Sequence, residues 1–223
     1  MKLYHGSTRI IKRPEYGKGK PYNDYGLGFY CTESIEMAKE WAVTKSRGGF
    51  ANIYELDDKD LSVLNLNDGG YCCLNWFSIL LENRSFDTDN LLAAEAKEYI
   101  LDHFRVPYKE YDLIIGYRAD DSYFSFAQDF LNGAISYRQL TNAMRLGRLG
   151  EQVVVRSPRA FERLLFQGYE VADCDEYYPL KAHRDQMARK QYFDKERNGR
   201  MPDDIYIIHL LNGEVKIDDP RLR

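Results

Sequence analysis

Hydrophobic and polar residues repeat with two different periods along the chain, and each change of period predicts a strand or a helix. Two-residue alternation and short apolar runs predict strands, whereas apolar residues three or four positions apart predict helices. The predicted strands cover 2–5, 50–56, 61–66, 111–117, 151–156 and 169–172, with a closing strand and hairpin over 204–211 and 215–217. The predicted helices cover 37–42, 73–81, 91–104, 122–130, 136–146, 158–165 and 179–199. Short strands between groups of helices favour a mixed α+β domain over a doubly wound sheet.

The stretch 23–42 combines a glycine turn, two aromatic residues and the start of a helix. Gly26 and Gly28 flank one residue, where the backbone must turn or approach a neighbour closely. Tyr30 follows at once, and Trp41 lies eleven positions later in the predicted helix, which the polar residues 32–34 are suited to cap. The stretch reads either as an ordinary turn that leads into an amphipathic helix or as the floor of a ligand pocket.

Composition narrows the class of protein. The 223 residues are 44% hydrophobic and 30% charged, with a net charge of −4. No apolar run approaches the roughly 18 residues that cross a bilayer, and the first twenty residues lack the apolar core of a signal peptide. Cys31, Cys72, Cys73 and Cys174 have neither metal-binding nor disulfide spacing. We therefore expect one cytoplasmic domain over 1–223, with reduced cysteines, no bound metal and no membrane partner.

Three separate motifs together resemble those of the ADP-ribosyltransferase superfamily. They are the pair His5-Gly6 on the first strand, the Gly-x-Gly-x-Tyr sequence that ends at Tyr30 with Trp41 eleven residues on, and Gln152 at the start of a valine-rich strand. The branch that includes diphtheria toxin and the poly(ADP-ribose) polymerases has a glutamate at the third position. The chain is most similar to a bacterial branch with a His-Tyr-Gln triad, which occurs beside small partner genes.

The resemblance implies an NAD-dependent transferase with a known arrangement of site residues. His5 would bind the adenine-side ribose, the backbone of Gly6 would pair with the carboxamide, and Tyr30 and Trp41 would hold the nicotinamide ring between them. Ser7 or Thr32 would add a hydroxyl. The implied NAD-binding residues are His5, Gly6, Ser7, Gly28, Tyr30, Thr32 and Trp41, and the implied catalytic residues are Gln152, Tyr30 and His5.

Gln152 is the main departure from the family pattern. A glutamine keeps hydrogen bonds to a ribose hydroxyl but lacks the negative charge that stabilises an oxocarbenium-like sugar. Period-two alternation places Gln152 on one face of its strand and Glu151 on the other, so Glu151 is the alternative if the register shifts by one residue. Loss of the glutamate favours transfer of a single ADP-ribose unit. A module that binds NAD or ADP-ribose with little turnover and an NAD glycohydrolase are the alternatives.

The resemblance also implies a fold and partners. The expected fold is a split antiparallel β-sheet core, with 73–146 as a mostly helical insertion. The implied protein is a toxin that modifies a protein or nucleic acid and is restrained by an antitoxin-like partner. The basic helix over 179–200 is a solvated face or a nucleic-acid contact. The arginines considered for the NAD pyrophosphate are Arg9, Arg138, Arg145, Arg148, Arg156, Arg159 and Arg163.

Overall fold

A computed structural model describes residues 1–118, 121–146 and 150–223. Its strands are β1 (Lys2–Ser7), β2 (Phe29–Cys31), β3 (Gly49–Leu56), β4 (Val63–Asn65), β5 (Leu113–Tyr117), β6 (Glu151–Val155) and β7 (Leu164–Ala172). Its helices are α1 (Ile35–Ala42), α2 (Cys73–Asn83), α3 (Leu91–His103), α4 (Asp121–Leu131), α5 (Tyr137–Ala143), α6 (Pro158–Glu162), α7 (Cys174–Gln191) and α8 (Ile207–Leu211). The chain is an α+β protein, as the sequence predicts. No helix in these ranges is long and apolar enough to cross a membrane.

The strands form two sheets that meet at β1 and β2. The first sheet has the order β1-β3-β7 and is antiparallel throughout. The second has the order β2-β6-β5-β4, and its β4–β5 pair is parallel, so the expectation of an antiparallel core is wrong for that pair. Tyr4 and Thr32 exchange both backbone hydrogen bonds where the sheets meet. Beyond this bridge, β1 and β2 separate.

Two hydrophobic cores lie on opposite faces of the second sheet. Val153 and Val155 point from β6 toward the first sheet, where they pack with Leu3 and Tyr54. Val154 points the other way, into the larger core that α2, α3, α4 and α5 cover. Glu151 is exposed, whereas Gln152 is buried on the helical side. The alternation predicted for β6 is therefore present, and it turns Gln152 toward the helices.

Helix α1 lies directly against β1. Ser34 begins it, since its hydroxyl accepts a hydrogen bond from the Met37 amide at 3.3 Å, and Ser34 lies within the capping segment that the sequence predicts. Met37, Ala38 and Ala42 are buried. A Cβ at Gly6 would lie 2.1 Å from the Ala38 carbonyl oxygen, so only glycine lets the helix backbone come this close.

The C-terminal part of the sheet prediction is wrong in two places. The helix predicted to reach residue 165 ends at Glu162, and β7 begins at Leu164, because 164–172 pairs with β3 as a strand of the first sheet. The strand and hairpin predicted over 204–217 are instead helix α8. Its β-branched residues favour a strand locally, but a helix buries Ile207 and Leu210 on one face. Gly213, with φ +70°, follows the end of this helix.

The segment 73–146 contributes to the sheet as well as to the helical layer. Its strand β5 pairs with β4 on one side and with β6 on the other. Helices α2 and α3 cover the core beside this strand. Part of the turn predicted over 118–121 lies outside the described residues, as does Arg148. The predicted basic helix corresponds to α7, which begins earlier, at Cys174, with Asp173 as its cap.

Candidate functional site

A cavity of about 580 Å³ lies beside the point where β1 and β2 separate. Strands β1, β2 and β6, helix α1, the loop before β2 and helix α7 all contribute to it. The described residues that line it are His5, Gly6, Asn23, Asp24, Tyr30, Met37, Glu40, Trp41, Arg84, Arg118, Gln152, Tyr178, Lys181, Ala182, Arg184, Asp185 and Arg189. We call loop 23–26 with Tyr30 and Gln152 the floor of the cavity, and we call α7 its wall. The volume is within the range of small-molecule sites.

His5 is fixed at the edge of the cavity by its neighbours. Its Nδ1 lies 2.7 Å from the carbonyl oxygen of Tyr30, and its ring stacks on Phe29 with centroids 4.2 Å apart. Burial lowers the pKa of His5 below 6.5, while the bond to the Tyr30 carbonyl opposes that shift. Because a carbonyl only accepts, the proton of the neutral ring is on Nδ1. His5 therefore presents Nε2 as an acceptor.

Gly6 presents its backbone beside His5. The N–H and C=O groups of Tyr4 point toward Thr32, and the two-residue period of a strand turns those of Gly6 the same way. Strand β2 would continue this pairing, but it diverges from β1 here, and the Tyr30 carbonyl binds the His5 ring instead. The edge of β1 at Gly6 is thus available to a planar amide, and its glycine is required by the packing of α1.

Tyr30 is held through its hydroxyl. That hydroxyl donates to the Gly26 carbonyl at 2.6 Å and accepts from the Tyr25 amide at 3.1 Å. Burial is the main cause that raises the pKa of Tyr30 far above 10, so the phenol stays protonated. Tyr30 can therefore contribute its ring to a ligand, whereas its hydroxyl is committed to the floor.

Trp41 lies on α1 across from this floor. The guanidinium carbon of Arg118 is 4.1 Å from the centroid of its ring, a cation–π contact that covers one face. The indole Nε1 is buried and has no hydrogen-bond partner among the described residues. A buried donor without a partner is unusual in a folded protein. Trp41 therefore offers an unused hydrogen-bond donor as well as a ring.

Gln152 is the most firmly positioned residue of the floor. Its Nε2 donates to the Asp24 carboxylate at 3.0 Å and to the Tyr117 carbonyl at 3.2 Å. Both partners are acceptors only, which fixes the orientation of the amide and directs Oε1 away from them. Within the described part of the chain, Oε1 accepts no hydrogen bond, and Gln152 lines the cavity. The floor therefore presents a neutral hydrogen-bond acceptor, Gln152 Oε1, to the cavity.

The wall is basic and is held by ion pairs. Arg184 forms a two-point pair with Glu40, with Nε to Oε2 at 3.0 Å and Nη2 to Oε1 at 2.8 Å. From α1, the Lys39 ammonium contacts Glu36, Glu170 and the hydroxyl of Tyr177 on the wall. Lys181 and Arg189 also line the cavity. These residues belong to the basic helix, which a sequence pattern cannot distinguish from an exposed surface.

Several predicted site residues lie elsewhere. Ser7 accepts from the Arg9 amide, Thr32 accepts from the Ser34 amide, and Gly28 packs on Val154. These three residues are absent from the described lining. The described arginines predicted for pyrophosphate are absent from it as well, and four of them bind the protein itself. Arg138 pairs with Asp204, and Arg159 pairs with Asp112. Arg156 donates to the Tyr25 carbonyl, and Arg163 donates to the Lys59 carbonyl.

Motif reasoning missed several lining residues, among them Arg84, Arg118 and Asp24. Each is a single charged residue in a loop or at a helix end, without a spacing pattern that marks it. Arg84 Nη1 lies 3.6 Å from Asp24 Oδ1, and its guanidinium lies over the Phe124 ring. Asp24 alone had a signal, because it directly precedes the Tyr25-Gly26 turn.

Comparison with known proteins gives one match. Residues 1–166 match the family described as Protein of unknown function (DUF3990). The match includes the floor of the cavity and ends before α7. No curated protein and no solved structure matches the chain.

Proposed function

The chain belongs to the DUF3990 family, and we propose that it is a mono-ADP-ribosyltransferase that transfers ADP-ribose from NAD to a macromolecular acceptor. One observation carries the proposal. His5, Gly6, Tyr30, Trp41 and Gln152, which come from three distant parts of the chain, all line one cavity. A chance set of strand-end and core residues has no reason to converge in this way.

The chemistry required of such a site is cleavage of the N-glycosidic bond of NAD. The bond between ribose C1′ and the nicotinamide nitrogen breaks, and its electron pair neutralises the pyridinium. The acceptor's nucleophile then bonds to C1′ and loses its proton to solvent or to a base. The sugar passes through an oxocarbenium-like state. The protein must therefore hold the ring and the ribose and provide negative potential near C1′.

The floor and β1 can meet the first two demands. The edge of β1 at Gly6 suits the planar carboxamide, and the rings of Tyr30 and Trp41 suit the nicotinamide, since aromatic stacking adds about 0.5–1.5 kcal/mol beyond burial. Arg118 covers one face of Trp41 and must move if that face takes the ring. The Nε2 of neutral His5 and the Oε1 of Gln152 are acceptors for ribose hydroxyls.

The charges around the cavity suit the pyrophosphate. Among the residues that the structure describes, five cationic side chains line it, against three acidic ones. The cations are Arg84, Arg118, Lys181, Arg184 and Arg189, and the acids are Asp24, Glu40 and Asp185. One guanidinium group can bind a phosphate through two parallel hydrogen bonds. We assign the pyrophosphate to this group of cations instead of the arginines suggested by the sequence.

The acceptor and the biological role follow from the same proposal. Transfer to a protein or nucleic acid of a bacterial cytoplasm would make the protein a toxin, and a small antitoxin-like partner would restrain it. The basic wall beside the cavity would meet an acceptor that approaches C1′. A second candidate is a module that binds NAD without turnover, which the uncharged amide of Gln152 favours. Hydrolysis of NAD, with water as acceptor, is the third outcome.

Incubation with NAD labelled in its adenylate part, with and without cell lysate, separates these functions. Label on macromolecules supports the transferase, released ADP-ribose without a labelled acceptor supports the hydrolase, and binding without consumption supports the module. We expect the double variant His5→Ala, Tyr30→Ala to weaken NAD binding by at least about 10-fold, equivalent to 1.4 kcal/mol.

Tyr22→Ala is the matched control, because Tyr22 lies in the same loop region but is 77% exposed. Unchanged NAD binding in the double variant would refute the assignment of the cavity. Toxicity on expression that the double variant abolishes would support the proposed role.

A further inference from the structure

Asp24 places a carboxylate directly behind Gln152. Only 6% of Asp24 is exposed, and it lines the cavity. Its Oδ2 accepts from Gln152 Nε2 at 3.0 Å, and Arg84 approaches its Oδ1 at 3.6 Å. A buried carboxylate is rare unless it is paired or functional. The floor therefore contains a negative charge, although Gln152 itself has none.

The backbone around Asp24 is fixed by the rest of the floor. The Gly26 amide closes a turn on the Asn23 carbonyl at 2.9 Å, and the Tyr30 hydroxyl bridges Tyr25 and Gly26. Arg156 donates to the Tyr25 carbonyl at 2.6 Å. These bonds hold residues on both sides of Asp24, so they would survive a change of the Asp24 side chain. The carboxylate is positioned before any ligand arrives.

The same geometry explains why a glutamine stands at 152. A glutamate there would bring a second carboxylate to about 3 Å from Asp24, and two carboxylates so close cannot both ionise. An amide instead donates to Asp24 and turns its oxygen to the cavity. Gln152 and Asp24 are thus complementary, as a donor and an acceptor.

We propose that Asp24 is a positioning residue that orients the Gln152 amide and supplies the negative charge that this amide lacks. The role rests on the proposed ADP-ribosyl transfer. As the bond from C1′ to the nicotinamide nitrogen breaks, positive charge grows on the ribose. The Asp24 carboxylate polarises the amide, which increases the partial negative charge on Oε1. Asp24 itself exchanges no proton and forms no covalent bond.

The test is a set of charge changes at positions 24 and 152, read as kcat and KM for nicotinamide release from NAD. Asp24→Asn keeps the shape and removes the charge. We expect its kcat to fall about 10- to 100-fold, which is less than the roughly 100- to 1000-fold cost of losing a direct electrostatic contact to a transition state, because Asp24 acts through Gln152. We expect KM to change less than about 3-fold, because the ground state carries no charge at C1′ beyond that of NAD itself.

The decisive variant moves the charge from position 24 to position 152. In Asp24→Asn, Gln152→Glu, the asparagine donates to the glutamate, so the bond between these two side chains is kept with its direction reversed. The Tyr117 carbonyl loses its bond from position 152 but keeps those from Tyr25 and Trp76. We expect this double variant to regain at least about 10-fold in kcat over Asp24→Asn. Gln152→Glu alone should not exceed wild type, because the paired carboxylates share a proton. Asp102→Asn, an exposed position on α3, is the matched control.

The results separate this role from the proposed function. Wild-type turnover with unchanged kcat in Asp24→Asn overturns the role of Asp24 and leaves the transferase in place. Loss of activity in Asp24→Asn that the double variant does not regain also overturns it, since the residue would then be structural. If Asp24→Asn fails to fold, a gain in kcat from Gln152→Glu alone overturns it. Absence of NAD binding and cleavage by the wild type refutes the function and this role together.

Discussion

The floor and the wall of the cavity are built in different ways. The floor is tied by hydrogen bonds that mostly involve backbone groups, such as the Tyr117 carbonyl and the Tyr25 amide. The wall is tied by charged side chains on a half-exposed helix, of which the pair Arg184–Glu40 is the most buried. The family match covers the floor and ends before the wall. The cavity therefore combines a floor fixed by backbone hydrogen bonds with a wall held by ion pairs between side chains.

This contrast matters for how each part responds to its surroundings. Backbone hydrogen bonds in a buried loop are little affected by salt, whereas ion pairs that water reaches are screened. For the proposed transfer, a rigid floor suits a reaction in which atoms must be placed closely, and a wall of ion pairs suits recognition of the acceptor.

Gly6→Ala should disturb both the floor and the wall of the cavity, and we expect it to lower stability most. The added Cβ would meet the Ala38 carbonyl oxygen at 2.1 Å, and α1 supports both Trp41 in the cavity and Glu40, which pairs with Arg184 of the wall. We expect the free energy of unfolding to fall by about 3 kcal/mol, at the upper end for overpacking. Chemical denaturation followed by circular dichroism measures it.

Gly69→Ala is the control, since a Cβ at Gly69 meets nothing within 4 Å. If Gly6→Ala were as stable as this control, α1 would not pack on β1 as described.

Arg184→Ala tests the wall alone and should have an intermediate effect. It leaves the carboxylate of Glu40, which is 5% exposed, without its two-point partner. Because Arg184 is 29% exposed, we expect a loss of about 2 kcal/mol, below the cost of breaking a fully buried pair. Denaturation at low and high salt measures the loss, which should shrink as salt rises.

Arg189→Ala provides the comparison on the same helix. Its partner Asp185 is exposed and four residues away, so we expect a change of less than about 0.5 kcal/mol. If Arg184→Ala and Arg189→Ala lowered the free energy of unfolding equally, the pair Arg184–Glu40 would contribute no more to stability than the pair Arg189–Asp185.

The smallest expected effect is the contribution of His5, at the edge of the cavity, to the pH dependence of stability. Because burial lowers the pKa of His5 in the folded protein, the unfolded chain binds more protons in acid. The contribution of His5 to stability is therefore fully present above pH 6.5 and is lost as pH falls through the lowered pKa of the folded state. Unfolding free energies measured from pH 8 to pH 5 should decline less in His5→Asn, which can still donate to the Tyr30 carbonyl.

His183→Asn, at an exposed position on α7, should keep the wild-type pH dependence. A His5→Asn curve that follows the wild type would show that His5 does not titrate differently in the folded and unfolded states.

Two elements that build the cavity, α1 and β6, could be predicted because each has a strong local signal, whereas the short strand β2, which carries Tyr30, was missed. Ser34 caps α1, and three valines mark β6, so the face of Gln152 follows from period-two alternation. The wall could not be predicted in this way. Its basic residues have the same pattern as a solvated helix, and only the packing of α7 on α1 turns Arg184 toward Glu40.

The errors have a common physical cause. In α8, Ile207 and Leu210 are buried by tertiary packing, which overrides the local preference of Ile207 and Ile208 for a strand. Asp24 and Arg84 come together from different elements, and no spacing within the sequence encodes that contact. Sequence patterns predict elements, whereas contacts between distant charged residues depend on the assembled fold.

The Tyr117 carbonyl has a consequence for how the protein tolerates mutation. Tyr25, Trp76 and Gln152 all donate to this one oxygen, at 2.7, 3.2 and 3.2 Å. Every amino acid carries a main-chain carbonyl, so a substitution at 117 retains the acceptor that all three share. The donors have no such protection, because each depends on its own side chain. A substitution at 117 therefore disturbs these three hydrogen bonds less than a substitution at 25, 76 or 152, although it also changes the ring that packs on Trp76.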